Sequence, residues 1–214
     1  MTNNIGGHDY GRSDLGTAVP VTPTTPDLAA LAVEIHASNV TAGWWTDLAT
    51  GQSTLATRNR PEMLMLAVSE LSEAADGAMG EPDDKLPHLP MYDVELADFV
   101  IRQLDTIGAE VSLGAQMPRF DLSRRYFIGH LRSISRPEKL MVIVGCLSNA
   151  MEHYRKGRKQ EYVNAMSIGV QIAFRIAEIE HIDLFDIIAQ KRAFNATRAD
   201  HKVENRLKAG GKQF

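Results

Sequence analysis

The chain has a single cysteine, Cys146, so no intrachain disulfide can form. It does not open with a positively charged segment followed by an apolar stretch. No apolar run approaches the roughly 18 to 20 residues that a membrane-spanning helix requires. The best candidate is the short stretch Leu140 to Cys146. These absences lead to the expectation of a soluble cytoplasmic protein with no membrane partner. Basic excess is also missing: the formal net charge is −4, with 23% of residues charged, so there is no global positive field to hold a nucleic acid polymer by counterion release. No cluster of His and Cys has zinc-site spacing. No segment alternates apolar and polar residues for long enough to suggest a strand, which leaves an all-α fold.

A chain of 214 residues can bury one sizeable core. Residues 1 to 26 are rich in Gly, Thr and Pro without periodicity and read as a flexible arm. Asp27 is positioned to cap a first helix, along which Leu28, Leu31, Ala32 and Ile35 recur at helical spacing until Gly43. Arg60-Pro61-Glu62 opens a second helix, closing around Gly77 or Gly80. Three prolines between Glu81 and Pro90 exclude helix there, and Asp93 offers a cap for a third helix reaching about Glu110. Residues 113 to 136 have room for one short helix. Long helices are expected at about 137 to 156 and 160 to 181, then a shorter one from Asp183 to about Arg198, within an all-α domain over 27 to 200 and ahead of a basic tail over 201 to 214.

The sequence contains an internal repeat. Arg60-Pro61-Glu62-Met63-Leu64-Met65 aligns with Arg136-Pro137-Glu138-Lys139-Leu140-Met141 at an offset of 76, and Val68, Leu71, Ser72 and Ala74 continue onto Val144, Leu147, Ser148 and Ala150. Glu70 and Glu73 fall on Cys146 and Asn149, so the scaffold repeats while the carboxylates do not. A weaker alignment places Glu95 near Met166 and Asp98 near Gly169. These matches describe a catalytic half over 27 to 111 and a degenerate half over 112 to 200, with Cys146 acting as a small buried hydrophobe. A chance sharing of the Arg-Pro-Glu helix start is the plainer alternative.

The carboxylates of the first half carry the chemical signal. On a wheel of about 100° per residue, Met63, Leu66, Ala67 and Ala74 fall within about 60° of Glu70, and Glu73 lies at the edge of the same stripe. Carboxylates on an apolar face must neutralise, pair with a cation or bind a metal. The third helix adds Glu95 and Asp98 one turn apart, with Arg102 and Asp105 continuing that side. Four oxygen ligands from two helices suit Mg²⁺, with Mn²⁺ as a substitute. For the third helix alone, a solvated face with an ordinary Asp98–Arg102 pair is the favoured reading; for the second it is not, because a solvated face does not coincide with an apolar stripe.

The motifs Ser69-Glu70-Leu71-Ser72-Glu73-Ala74 and Val94-Glu95-Leu96-Ala97-Asp98 resemble the ExxE and ExxD motifs of the MazG-like all-α nucleoside triphosphate pyrophosphohydrolases, a superfamily that includes dimeric dUTPases and dCTP pyrophosphatases. Trp44-Trp45 ahead of the motif helix is similar to members of this group, as is the run from Lys191 through Phe194-Asn195-Ala196-Thr197-Arg198 to Gly210-Gly211-Lys212, the latter to the tails of phage and bacterial members. The resemblance implies a helical bundle, Mg²⁺ held by Glu70, Glu73, Glu95 and Asp98, and hydrolysis of a nucleoside triphosphate to the monophosphate and pyrophosphate. It implies dNTP pool control and a homo-oligomer, and it assigns Glu73 and Glu95 as the groups that act on water, as ligand or as base. Lys191, Asn195 and Arg198 become candidate phosphate contacts on one helix face, and Trp44, Trp45, His36 and Asn39 candidate base contacts, with a structural role the rival for each. A non-catalytic helical adaptor and a phosphoribosyl-ATP pyrophosphohydrolase-like activity are the other functions this sequence admits.

Overall fold

The computed structural model describes residues 27–123 and 128–212, so the arm over 1 to 26 and the last two residues of the tail lie outside the described residues. Among these the fold is all-α: α1 Leu28–Thr41, α2 Arg60–Asp76, α3 Met91–Ser112, α4 Ile128–Ser133, α5 Arg136–Arg155, α6 Lys159–Glu180, α7 Leu184–Thr197 and α8 Val203–Arg206. A single 3₁₀ turn, Ala199–His201, precedes α8.

Local chemistry sets the helix starts. Asp27 accepts from the Ala29 amide, Asn59 from Glu62 and Asp183 from Asp186, each satisfying an otherwise orphaned donor. Ser135 and Glu138 form a reciprocal capping box at α5. The third helix departs from expectation. It begins at Met91 behind Pro90, whose ψ of 138° supplies the extended residue a helix start needs. Asp93 therefore falls inside the first turn instead of capping it.

α3 is buried on almost every side and forms the centre of the bundle, packed by α1, α2, α6 and α7. Tyr92, Phe99, Leu104 and Ile107 carry its core contacts. α1 crosses it closely at Gly108, where an added Cβ would lie 2.5 Å from His36 Cβ.

The repeat extends into three dimensions. The hairpin α2–α3 packs on the hairpin α5–α6, with α2 against α5 and α3 against α6. Buried Arg60, at the start of α2, donates to Glu110 near the end of α3, and Arg136, at the start of α5, donates to Glu180 at the end of α6. The guanidinium of Arg136 lies 4.6 Å from the ring centre of Tyr92 in the first hairpin. Burial raises the pKa of the Tyr162 hydroxyl in the second hairpin, with Glu110 adding to the rise and Arg60 opposing it. Tyr92 with Tyr162 and Glu110 with Glu180 both give an offset of 70 for the second helix pair, one residue from the sequence alignment. Phe99 and Gly169 are equivalent at that offset, and they meet: a Cβ on Gly169 would stand 3.6 Å from Phe99 Cζ, as expected beside a pseudo-twofold axis. The second hairpin thus presents Cys146, Asn149, Ala165 and Ile168 where the first presents Glu70, Glu73, Glu95 and Asp98. Cys146 is half-buried there, less enclosed than a core residue.

Candidate active site: an acidic floor under a basic rim

A cleft of about 920 Å³ opens between α1, α2, α3, α7 and the turn that follows α7. The stripe on α2 divides in two. Ala67 and Ala74 are fully buried, whereas Met63 and Leu66 line the cleft together with Glu70 and Glu73. Glu70 stands at the border, 6% exposed.

One carboxylate oxygen each from Glu70, Glu95 and Asp98 lies within 4.8 Å of the other two, a grouping that could hold a metal ion. Glu70 and Asp98 line the cleft, while Glu95, 1% exposed, sits behind them. Glu73, one turn beyond Glu70, lines the same cleft but stands outside this grouping. A solvated α3 face is therefore overturned, and the Asp98–Arg102 pair does not form. Instead the Arg102 Nε donates to Glu70 Oε1, and Lys191 Nζ lies 2.9 Å from Asp98 Oδ2.

The electrostatics follow from this crowding. Burial, the neighbouring Asp98 charge and a hydrogen bond with Glu70 push Glu95 up to about 9, with Lys191 opposing. Burial raises Asp98 as well, against the pull of Lys191. Burial works against the charge of Lys85, yet Glu95 and Asp84 outweigh it and raise its pKa. Glu95 Oε2 is buried with no hydrogen-bond partner. Hard oxygen donors in such a group could hold a metal ion.

No protein-family model matches this chain, and no curated protein or solved structure matches it.

Asp105, one face along α3, is the second focus of the cleft. His36 Nδ1 lies 2.8 Å from its Oδ1, Asn39 donates to its Oδ2 at 2.8 Å, and the Trp45 indole N–H reaches it at 3.0 Å. The side-chain polar groups of His36, Asn39 and Trp45, candidates for reading a base, are thus directed at this carboxylate, and they brace α1 and the α1–α2 loop against α3. Trp44 is different. It lines the cleft, with Arg206 stacked 3.7 Å from its ring centre and His201 against its edge. Burial, with Arg198 alongside, pushes the His201 imidazole down to about 4, so the ring is neutral at physiological pH.

The expected phosphate-binding trio is not one row on α7. Asn195 lines the cleft and its Oδ1 is buried without a partner. Arg198 also lines the cleft, but it lies just past the helix end and is held by both oxygens of Asp200. Lys191 is fully buried beneath the floor.

Lys85, Arg58 and Arg192 complete the rim together with Lys202 and Lys212 from the basic tail that the sequence marks. Lys85, Arg58 and Arg192 carried no sequence signal, because they come from a proline-rich turn, a loop and an ordinary helix face. Only folding brings them around one opening.

Proposed function

We propose that this chain is a Mg²⁺-dependent pyrophosphohydrolase of the MazG-like type, which consumes one water across the α–β anhydride of a deoxynucleoside or nucleoside triphosphate and releases the monophosphate and pyrophosphate. One observation carries the reading. Three carboxylates from two helices, one with a buried oxygen that has no hydrogen-bond partner, converge under a cleft whose rim is basic. An acidic floor binds a cation and a basic rim binds a polyanion, and a substrate that brings both together is a metal-chelated polyphosphate. The cleft volume falls within the range of about 300 to 1,000 Å³ typical of small-ligand sites.

Glu70, Glu95 and Asp98 hold the cation in this reading, and Glu73 faces the same space from the next turn of α2. A bound divalent ion supplies Lewis acidity toward phosphate oxygens and water. Arg58, Lys85, Arg192 and Arg198 meet the phosphate charge, and the exposed edge of the Trp44 pocket faces the nucleoside. Homo-oligomerisation belongs to the same reading, supported by half-exposed apolar residues such as Ile168 and Met141 on the second hairpin.

Pyrophosphate release from a panel of dNTPs and NTPs, with Mg²⁺ and again with EDTA, tests this directly. Turnover that EDTA stops is expected, and Glu73→Gln should abolish it with the helical circular dichroism intact. A purified protein that releases pyrophosphate from none of them would end the reading. A non-catalytic adaptor is the second reading, favoured by the Arg102–Glu70 and Lys191–Asp98 pairs, which already neutralise two of the acids. It expects a melting temperature indifferent to Mn²⁺.

A further inference from the structure

Lys191 is the most enclosed charged group of the site. It is fully buried and does not line the cleft, and its Nζ stands 2.9 Å from Asp98 Oδ2 and 4.0 Å from Glu95 Oε1. Lysine is almost never fully buried unless paired, because its ammonium is strongly hydrated in water. Here the pairing is with Asp98, and Glu95 stands further off; both belong to the group of three carboxylates whose oxygens lie within 4.8 Å of one another. A divalent cation coordinated at about 2.0 to 2.1 Å from those oxygens would face the ammonium at close range and claim the same lone pairs. Like charges that close in a buried setting repel strongly.

Resting on the reading that this floor holds a divalent cation, we propose that Lys191 is a displaceable counter-ion: the cation takes over Asp98 and Glu95, and the released ammonium swings toward the cleft to meet a phosphate. The flexible four-carbon stem permits the swing. Asn195, one helical turn on, marks its destination, since that residue lines the cleft with a buried, unpartnered oxygen. Before the cation arrives the site neutralises itself; afterwards it has gained a phosphate-binding group. Cation and polyanion therefore promote each other's binding, reciprocally.

Two measurements on the full chain test this. In the first, the unmodified protein is acetylated with a small amine-reactive reagent in EDTA or in Mg²⁺, and Lys191 is quantified by mass spectrometry. Lys191 is expected to be protected in EDTA and labelled about tenfold faster or more in Mg²⁺, the labelling rate following the exposed population. In the second, Mn²⁺ alone is titrated and its free fraction followed by electron paramagnetic resonance. Lys191→Met should bind Mn²⁺ about tenfold more tightly than the unmodified protein, which corresponds to loss of one competing charge, while Lys191→Arg should show no gain. Normal Mn²⁺ binding with Lys191 equally protected in both conditions overturns this proposal and leaves the metal site standing. Absence of Mn²⁺ binding in the unmodified protein and both variants overturns the two together. The labelling arm needs no substitution, so a Lys191→Met chain that fails to fold does not remove the test.

Discussion

Glu95 concentrates the chemistry of the site in one side chain. Its carboxyl is pushed up to about 9, first by burial and then by Asp98, so at neutral pH and without a cation it keeps its proton. An acid whose folded pKa lies above its ordinary 4.5 leaves folding undisturbed below that value. From there to about pH 9 the unfolded chain ionises and the folded one does not, so stability falls as pH rises. The melting temperature of EDTA-treated protein should accordingly decline between pH 5 and 9, and Glu95→Gln should flatten the slope. Equal slopes in the two proteins would show that Glu95 ionises freely. Asp98→Asn is the companion test. Mn²⁺ at about a hundred times its dissociation constant should stabilise the unmodified protein by about 2.7 kcal/mol and the variant by almost nothing. A variant still stabilised to the same degree would place the cation elsewhere.

At the scale of helices, two contacts dominate. The α1–α3 crossing depends on Gly108, because a Cβ there would meet His36 Cβ at 2.5 Å and the Ala32 carbonyl oxygen at 2.8 Å. Neither neighbour is the tip of a flexible side chain, so the helices must separate. Gly108→Ala should lose at least about 2 kcal/mol in urea unfolding and weaken the His36–Asp105 brace. A loss below a few tenths would mean that the crossing tolerates the shift. The two pseudo-equivalent arginines provide an internal comparison. Arg60 and Glu110 are both nearly enclosed, so Arg60→Ala leaves a buried carboxylate with only Lys159 at 3.8 Å and should cost about 3 kcal/mol. Arg136 is about a third exposed, and Arg136→Ala should cost about 1 kcal/mol. Equal losses would show that burial does not separate the pairs.

Across the whole molecule the C-terminal turn completes the cleft. Arg206 is fully buried against Trp44, donates to the Gly43 and Lys212 carbonyls, and so holds the segment that brings His201, Lys202 and Lys212 to the rim. Arg206→Ala should expose residues 199 to 212 to thermolysin several-fold faster than in the unmodified protein while leaving global unfolding almost unchanged, since only local opening is affected. Unaltered cleavage would show that the tail is held by other contacts. No helix among the described residues is long and apolar enough to cross a membrane.

The sequence by itself determined the all-α architecture, the positions of the long helices and the placement of carboxylates on an apolar stripe, because capping, proline and 3.6-residue periodicity act within a few residues. Asp27, Pro61 and Asp183 announced their helices, whereas Asp93 misled because Pro90, immediately ahead of the helix's first residue, made a better start than a side-chain cap. What only the tertiary structure decided was partnership. Arg102 joined Glu70 across helices instead of Asp98 along its own, Lys191 turned under the floor instead of outward, and Asp105 gathered His36, Asn39 and Trp45. Each of these contacts spans 32 to 93 residues, and electrostatic selection among such distant groups happens only when the fold sets their distances and removes the water between them.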